Sequence, residues 1–262
     1  MVSRSNTKTV VITGAGSGIG RALALAYADP GRGLLLIGRR VAALESTAAL
    51  LRDRGAKVMV AVADVRDTRA LDALATRCHE AFGEIGIVIA NAGIGRGTLS
   101  SEPADRGVFA DIIQINLIGV ENTVSAFLPY MGPGGRVAGI ASVAGLRGLP
   151  GVAAYSASKA GLIAYLESLR LELRERRIRV SCIAPGYIDT PMTADNRHPM
   201  PWLMPVSLAA IAMRRTIDRG RPWLVLPWQM AAVAWILRRL PIPVYDFLIA
   251  RVSGKARRIP EK

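Results

Sequence analysis

Seven short apolar runs rich in β-branched residues, at positions 9–13, 33–37, 57–62, 85–90, 135–140, 179–183 and 222–226, recur along the chain with longer stretches of helical periodicity between them. A strand buried on both faces needs a continuous apolar run, and two parallel neighbours need a crossover long enough to hold a helix. The pattern predicts an α/β protein with a seven-stranded parallel sheet, right-handed crossovers and helices on both faces. Those helices are expected at 18–28, 41–53, 68–81, 105–131, 153–175 and 207–219. No Gly/Ser-rich linker or internal repeat divides the 262 residues, so one domain is expected. After Thr190 prolines and tryptophans cluster, which reads as an excursion and a C-terminal tail on that domain.

The first run leads into Thr13-Gly14-Ala15-Gly16-Ser17-Gly18-Ile19-Gly20 and then an Ala/Leu-rich helix. Glycines between strand and helix let backbone approach a pyrophosphate, and the helix N-terminus offers free N–H groups and partial positive charge. Dinucleotide binding on a doubly wound sheet of Rossmann type follows. The second run ends at Gly38-Arg39-Arg40, where a dinucleotide site that prefers NAD places an acid on the ribose 2′-hydroxyl. Arg39 there can instead meet a 2′-phosphate with paired hydrogen bonds, so NADP(H) is the favoured cofactor, with NAD(H) still possible.

Tyr155 and Lys159 stand at i and i+4 near the start of the 153–175 helix, on one face, able to share a ligand. Ser142 follows the fifth strand, at a carboxyl end where open α/β sheets bind ligands. Asn116 falls inside the 105–131 helix, where its amide can disturb the helical hydrogen bonds and hold a water.

The spacing T-G-x-x-x-G-x-G, with Asn116, Ser142, Tyr155 and Lys159 in order, resembles the short-chain dehydrogenase/reductase (SDR) family over about residues 9–190. The resemblance implies an NAD(P)-dependent oxidoreductase with those four as its catalytic tetrad. It implies cofactor contacts at Gly14, Ser17, Gly18 and Ile19, with Asp64 and Val65 at the adenine. Asn91, in an Asn-Ala-Gly element, would steady the sheet beside the cofactor, and Pro185, Ile188 and Thr190 would lie at the nicotinamide. Tyr155 would protonate a carbonyl oxygen while hydride arrives from the nicotinamide, with Ser142 hydrogen-bonded to the same oxygen. Lys159, with the nicotinamide charge, would lower the tyrosine's pKa and bind ribose, and Asn116 would hold a relay water. Residues 191–262 would cover the substrate. Ile94, Ala144, Leu149 and the 192–202 loop are apolar candidates for the cleft, which suggests a small hydrophobic carbonyl or alcohol substrate. Family members commonly form homodimers or homotetramers, and the same is expected here.

Three functional readings stand: an NADPH-dependent reductase, an NAD-dependent alcohol or steroid-type dehydrogenase, and a non-catalytic nucleotide-sensing scaffold. The intact tetrad argues against the third. The two cysteines, Cys78 and Cys182, form no disulfide framework; Cys182 reads as core and Cys78 as an ordinary helix residue. The segment before Val10 lacks the apolar core of a secretory signal, so a reducing cytoplasm is the expected location. His79 and His198 have no ligand partners at metal spacing, and no metal is expected.

Net charge is +14, and from Asn196 onward twelve Lys or Arg face three acids. Such an excess raises anionic partners. No nucleic-acid motif accompanies it, and nucleic acid is not an expected partner. Two apolar tail helices are expected at 228–240 and 244–252, rimmed by Arg238, Arg239 and Arg251 and too short to span a bilayer. They either pack on the domain or a partner subunit, or lie peripherally in the inner membrane surface with arginines toward anionic headgroups.

Overall fold

The computed structural model describes residues 9–194, 196 and 199–253, the side chains of 250–253 excepted. Expectations for Arg197, His198, the Arg251 side chain and the basic residues beyond Ser253 lie outside the described residues, and the 192–202 loop is described in part.

Each of the seven apolar runs is a strand: β1 (Thr9–Thr13), β2 (Gly33–Gly38), β3 (Lys57–Val62), β4 (Ile85–Ala90), β5 (Arg136–Ile140), β6 (Arg179–Pro185) and β9 (Trp223–Leu226). All pair in parallel, in the order β3-β2-β1-β4-β5-β6-β9. The chain winds outward from β1 to β3 and then returns to β4. The two halves therefore diverge at the carboxyl ends of β1 and β4, which opens a crevice there.

Alternate residues of each strand face opposite layers. Val11, Leu35 and Val88 enter one core with Val124, Phe127, Leu162 and Leu166, from α5 (Gly119–Phe127) and α6 (Ala153–Glu172). Val10, Ile12, Leu34 and Ile89 enter the other with Leu23 of α1 (Gly18–Ala26), Leu44 of α2 (Val41–Arg52) and Met213 of α7 (Val206–Asp218). Cys78 is fully buried on α3 (Thr68–Phe82), so it is core and not the ordinary helix residue expected. Burial pushes both thiols up to about 12, which makes them inert.

The long helix expected at 105–131 is broken. It consists of α4 (Asp105–Ile113), a π-helical turn (Gln114–Ile118), α5 and a 3₁₀ turn (Leu128–Tyr130). A widened turn of this kind marks where a side chain competes with the helical ladder. Here Asn116 bonds the Ile94 backbone. Strands β7 (Ile188–Asp189) and β8 (Met204–Pro205) form an unforeseen parallel pair, two residues each and too short to leave a sequence pattern.

The tail forms α8 (Trp228–Arg239) and α9 (Ile242–Ser253). The inner side of α8 packs by Met230 against Gly186 and buries Ala234. Helix α9 is held by Tyr245, whose hydroxyl donates to the Gly148 carbonyl beneath the Arg147 guanidinium, 4.2 Å from the ring centroid. Among the described residues no helix is long and apolar enough to cross a membrane.

Candidate active site

The glycine turn after β1 owes its shape to backbone that L side chains rarely adopt, with φ of +68° at Gly14 and +53° at Gly18. A Cβ on Gly16 would meet Ala43 at 3.0 Å, so α2 closes down on the turn. Asn91, at the end of β4, donates its side-chain amide to the Thr13 carbonyl at 2.9 Å. The Thr13 hydroxyl in turn accepts from the backbone N–H groups of Asn91 and Ala92, each at 3.0 Å. The ends of β1 and β4 are thereby stapled at the point where the crevice opens.

One cleft of about 320 Å³ occupies this crevice. Gly14, Ser17, Gly18 and Ile19 form its floor at the start of α1; Arg39, Asp64 and Val65 stand at one end, and Asn91, Ser142, Tyr155, Lys159, Pro185, Ile188 and Thr190 continue to the other. The fold thus brings all fourteen of the expected site residues other than Asn116 to this one cleft. Asn116 lies behind that wall, wholly buried.

Helix α6 presents Tyr155 and Lys159 to the cleft because Ala154, Ser158 and Leu162 turn inward. Lys159 Nζ donates to the Ile140 carbonyl at 2.7 Å and lies 5.7 Å from the centroid of the Tyr155 ring. Burial lowers its ammonium from 10.5 to about 8, with Cys182 acting weakly the other way. Ser142 is seated by accepting from the Ala144 N–H at 3.2 Å. Burial raises the Tyr155 phenol, against a lowering by its hydrogen bond with Ser142. The direction is opposite to that expected from Lys159, because the buried phenolate loses its water and the lysine is turned to Ile140.

Asn116 spends its amide on the protein. Its Oδ1 accepts from Ile94 N–H at 2.8 Å, and its Nδ2 donates to the Ile94 carbonyl at 2.9 Å and to Ser158 Oγ at 3.2 Å. Ser158 donates in turn to the Tyr155 carbonyl at 2.8 Å. The asparagine therefore ties the loop after β4 to the helix that carries the tyrosine.

Three contacts escaped sequence reasoning. Arg40 Nη2 donates to Ser17 Oγ at 3.2 Å, so Arg40 and not Arg39 reaches the glycine turn. Arg66 grips Asp64 through Nη2 at 2.9 Å and Nε at 3.1 Å, which holds that carboxylate below its usual range. Thr193 donates to the Ile188 carbonyl at 2.7 Å and accepts from Thr190 N–H at 3.1 Å, shaping the far wall. The doubled arginine was the one signal for the first; the other two depend on loop geometry.

Of the apolar cleft residues expected, Ile94 and Met192 line the cleft. Leu149 does not. It lines a second cavity of about 600 Å³ between the 145–150 turn, α6 and α9, where Tyr245 and Ile249 are also found. The loop after Ser142 turns away from Tyr155 because Gly145 packs directly on α6, where a Cβ would lie 2.6 Å from the Lys159 carbonyl carbon.

Glycine turn, helix N-terminus and switch-point crevice together define a Rossmann-type nucleotide-binding protein. The family model described as short chain dehydrogenase matches residues 8–201. The chain belongs to that family and is an oxidoreductase. It is similar to an uncharacterized oxidoreductase of Myxococcus xanthus, 39% identical over 251 residues that cover 94% of this chain and 97% of the other. Among solved structures it is similar to an alcohol dehydrogenase from the archaeon Thermococcus sibiricus complexed with 5-hydroxy-NADP, at TM-score 0.75 and 28% identity over 84% of this chain and 95% of that one. It is also similar to a short chain dehydrogenase/reductase from Burkholderia phymatum in complex with NAD, at TM-score 0.79 and 26% identity over 97% and 96% of the two chains.

Proposed function

We propose that the protein reduces the carbonyl of a small apolar substrate with NADPH. The observation that carries this reading is the convergence of Tyr155, Ser142 and Lys159 on one wall of a cleft whose opposite end carries Arg39 and Arg40. The residues fit a dinucleotide: Gly14 and Gly18 hold the left-handed backbone of the turn, Gly16 lets α2 close on it, and the turn and the start of α1, where a helix N-terminus favours phosphate, line the cleft. When bound, the reduced nicotinamide supplies the hydride.

Tyr155 donates its phenolic proton to the substrate oxygen as charge develops there, and Ser142 hydrogen-bonds the same oxygen. A phenol raised by burial stays protonated at neutral pH, which suits it as the acid of a reduction. Lys159, held at its Ile140 anchor, places a cation beneath the tyrosine. Asn116 acts through Ile94 and Ser158, keeping the loop and α6 in register. Ile94 and Met192 supply the apolar wall for the substrate, with Pro191 and Thr193 beside Met192.

Tyr155→Phe tests the assignment: kcat for NADPH-dependent carbonyl reduction falls by roughly 10³, within the usual range for a general acid, with the Kd for NADPH unchanged. Undiminished turnover in that variant sinks it. The NAD-bound structural relative favours a second reading, an NAD-dependent alcohol dehydrogenase, and the two part on whether NADPH or NADH gives the higher kcat/KM. We further read the protein as a homo-oligomer of a reducing cytoplasm, a state that sedimentation velocity checks.

A further inference from the structure

We propose that the outward side of the α8–α9 tail docks the protein on an anionic lipid surface. On α8 the exposed positions are Trp228, Ala232, Trp235, Ile236, Arg238 and Arg239, and all but Arg238, which flanks them, are spaced by the helical period along one stripe. A surface helix ordinarily turns its apolar stripe to the core. Helix α8 buries Ala234 and half-buries Met230 and Leu237, and turns both tryptophans outward, Trp228 74% and Trp235 60% exposed. On α9 the body holds the Tyr245 edge and leaves Ile242 (70% exposed), Val244 and Leu248 open. Single exposed apolar side chains need no explanation, but two successive helices that expose them mark an interaction surface.

Charge selects the occupant. The last turn of α8 carries Arg238 and Arg239, both exposed, and the half-buried Arg147 stacks over the Tyr245 ring at the start of α9. Arg239 stacks on the Trp235 ring at 4.1 Å, so a cation and an indole are presented side by side at one level. Asp246 is the one acid among the described residues of the two helices, and residues 254–262 add four cations and one acid in sequence. A second copy of the chain laid on this face would set its own basic cluster against an equal one, because a two-fold interface opposes a surface to itself. Anionic headgroups complement the arginines, indoles prefer the headgroup level, and the aliphatic side chains enter the acyl boundary. The inner side of α8 meets the cleft wall through Met230 on Gly186, so docking would set the cleft beside the lipid.

The test is co-sedimentation of the full-length chain with vesicles of phosphatidylcholine alone and of phosphatidylcholine with phosphatidylglycerol. Binding to the second and not the first, weakened by salt, is expected. Arg238→Gln with Arg239→Gln lowers the partition coefficient roughly 25-fold, at about fivefold per basic residue. Trp228→Ser with Trp235→Ser abolishes binding. Both variants keep the wild-type Tm and NADPH affinity, so loss of binding is not loss of fold. Failure to bind phosphatidylglycerol vesicles overturns the proposal, as does binding that survives the tryptophan changes. Self-association that those changes abolish, without vesicle binding, assigns the face to a second copy and overturns it too. The readout is partitioning, so it stands or falls apart from the hydride-transfer reading.

Discussion

At the residue scale, Lys159 has the clearest consequence. Burial lowers its ammonium from 10.5 to about 8, so between those values the folded chain binds fewer protons than the unfolded chain, and stability rises with pH. Below pH 8 both states are protonated and the full penalty applies, about 3 kcal/mol at 1.36 kcal/mol per unit. Tm measured from pH 7.5 to 10 should therefore rise in wild type relative to Lys159→Met, and parallel curves would show that the lysine carries no such penalty. Asn116→Asp places a carboxylate against the Ile94 carbonyl, which can only accept. It is expected to lose about 2 kcal/mol of stability and a larger share of kcat than Asn116→Ala loses, read by thermal melts and steady-state kinetics. These positions were legible in the sequence by type and order. Their partners were not, because Ile140 and Ile94 act through backbone carbonyls that carry no sequence signature.

Elements place those residues, and small side chains set how closely the elements approach. The turn after Ser142 lies on α6 with Gly145 so near that a Cβ would stand 2.6 Å from the Lys159 backbone. Gly145→Ala must push α6 away and is expected to cost about 2 kcal/mol, the usual range for overpacking. Because α6 carries both Tyr155 and Lys159, kcat should fall with it; wild-type kcat in a variant of lowered Tm would show that the turn supports the fold alone. On the opposite face Arg214 of α7 donates to the Ala26 carbonyl and to Asp29 at 2.8 Å, and lies 5.0 Å from the Tyr27 ring centroid. It locks α7 to the end of α1, and Arg214→Ala is expected to lower Tm without changing kcat at a temperature where both proteins are folded. Periodicity located these helices within a few residues. It missed the π-helical turn, because that break comes from Asn116 bonding a loop 22 positions away.

For the whole molecule, cofactor binding and folding are linked. NADPH at about 100 times its Kd adds about 2.7 kcal/mol of stability, roughly 5 °C in Tm for a domain of this size. NADH at equal concentration should add less, and Arg39→Ser with Arg40→Ser should erase the difference; an equal shift from both cofactors in wild type would remove the case for NADPH. Residues in local sequence determined the seven strands, the glycine turn and the chemistry of the side chains at strand ends, because alternation, apolar runs and φ-permissive glycines act over a few neighbours. Tertiary structure alone decided that Leu149 leaves the cleft, that Arg40 takes Ser17, that the Tyr155 phenol is raised, and that α8 turns its tryptophans outward. Each of these depends on what the other side of a contact withholds from water, and that is known only once distant segments are packed together.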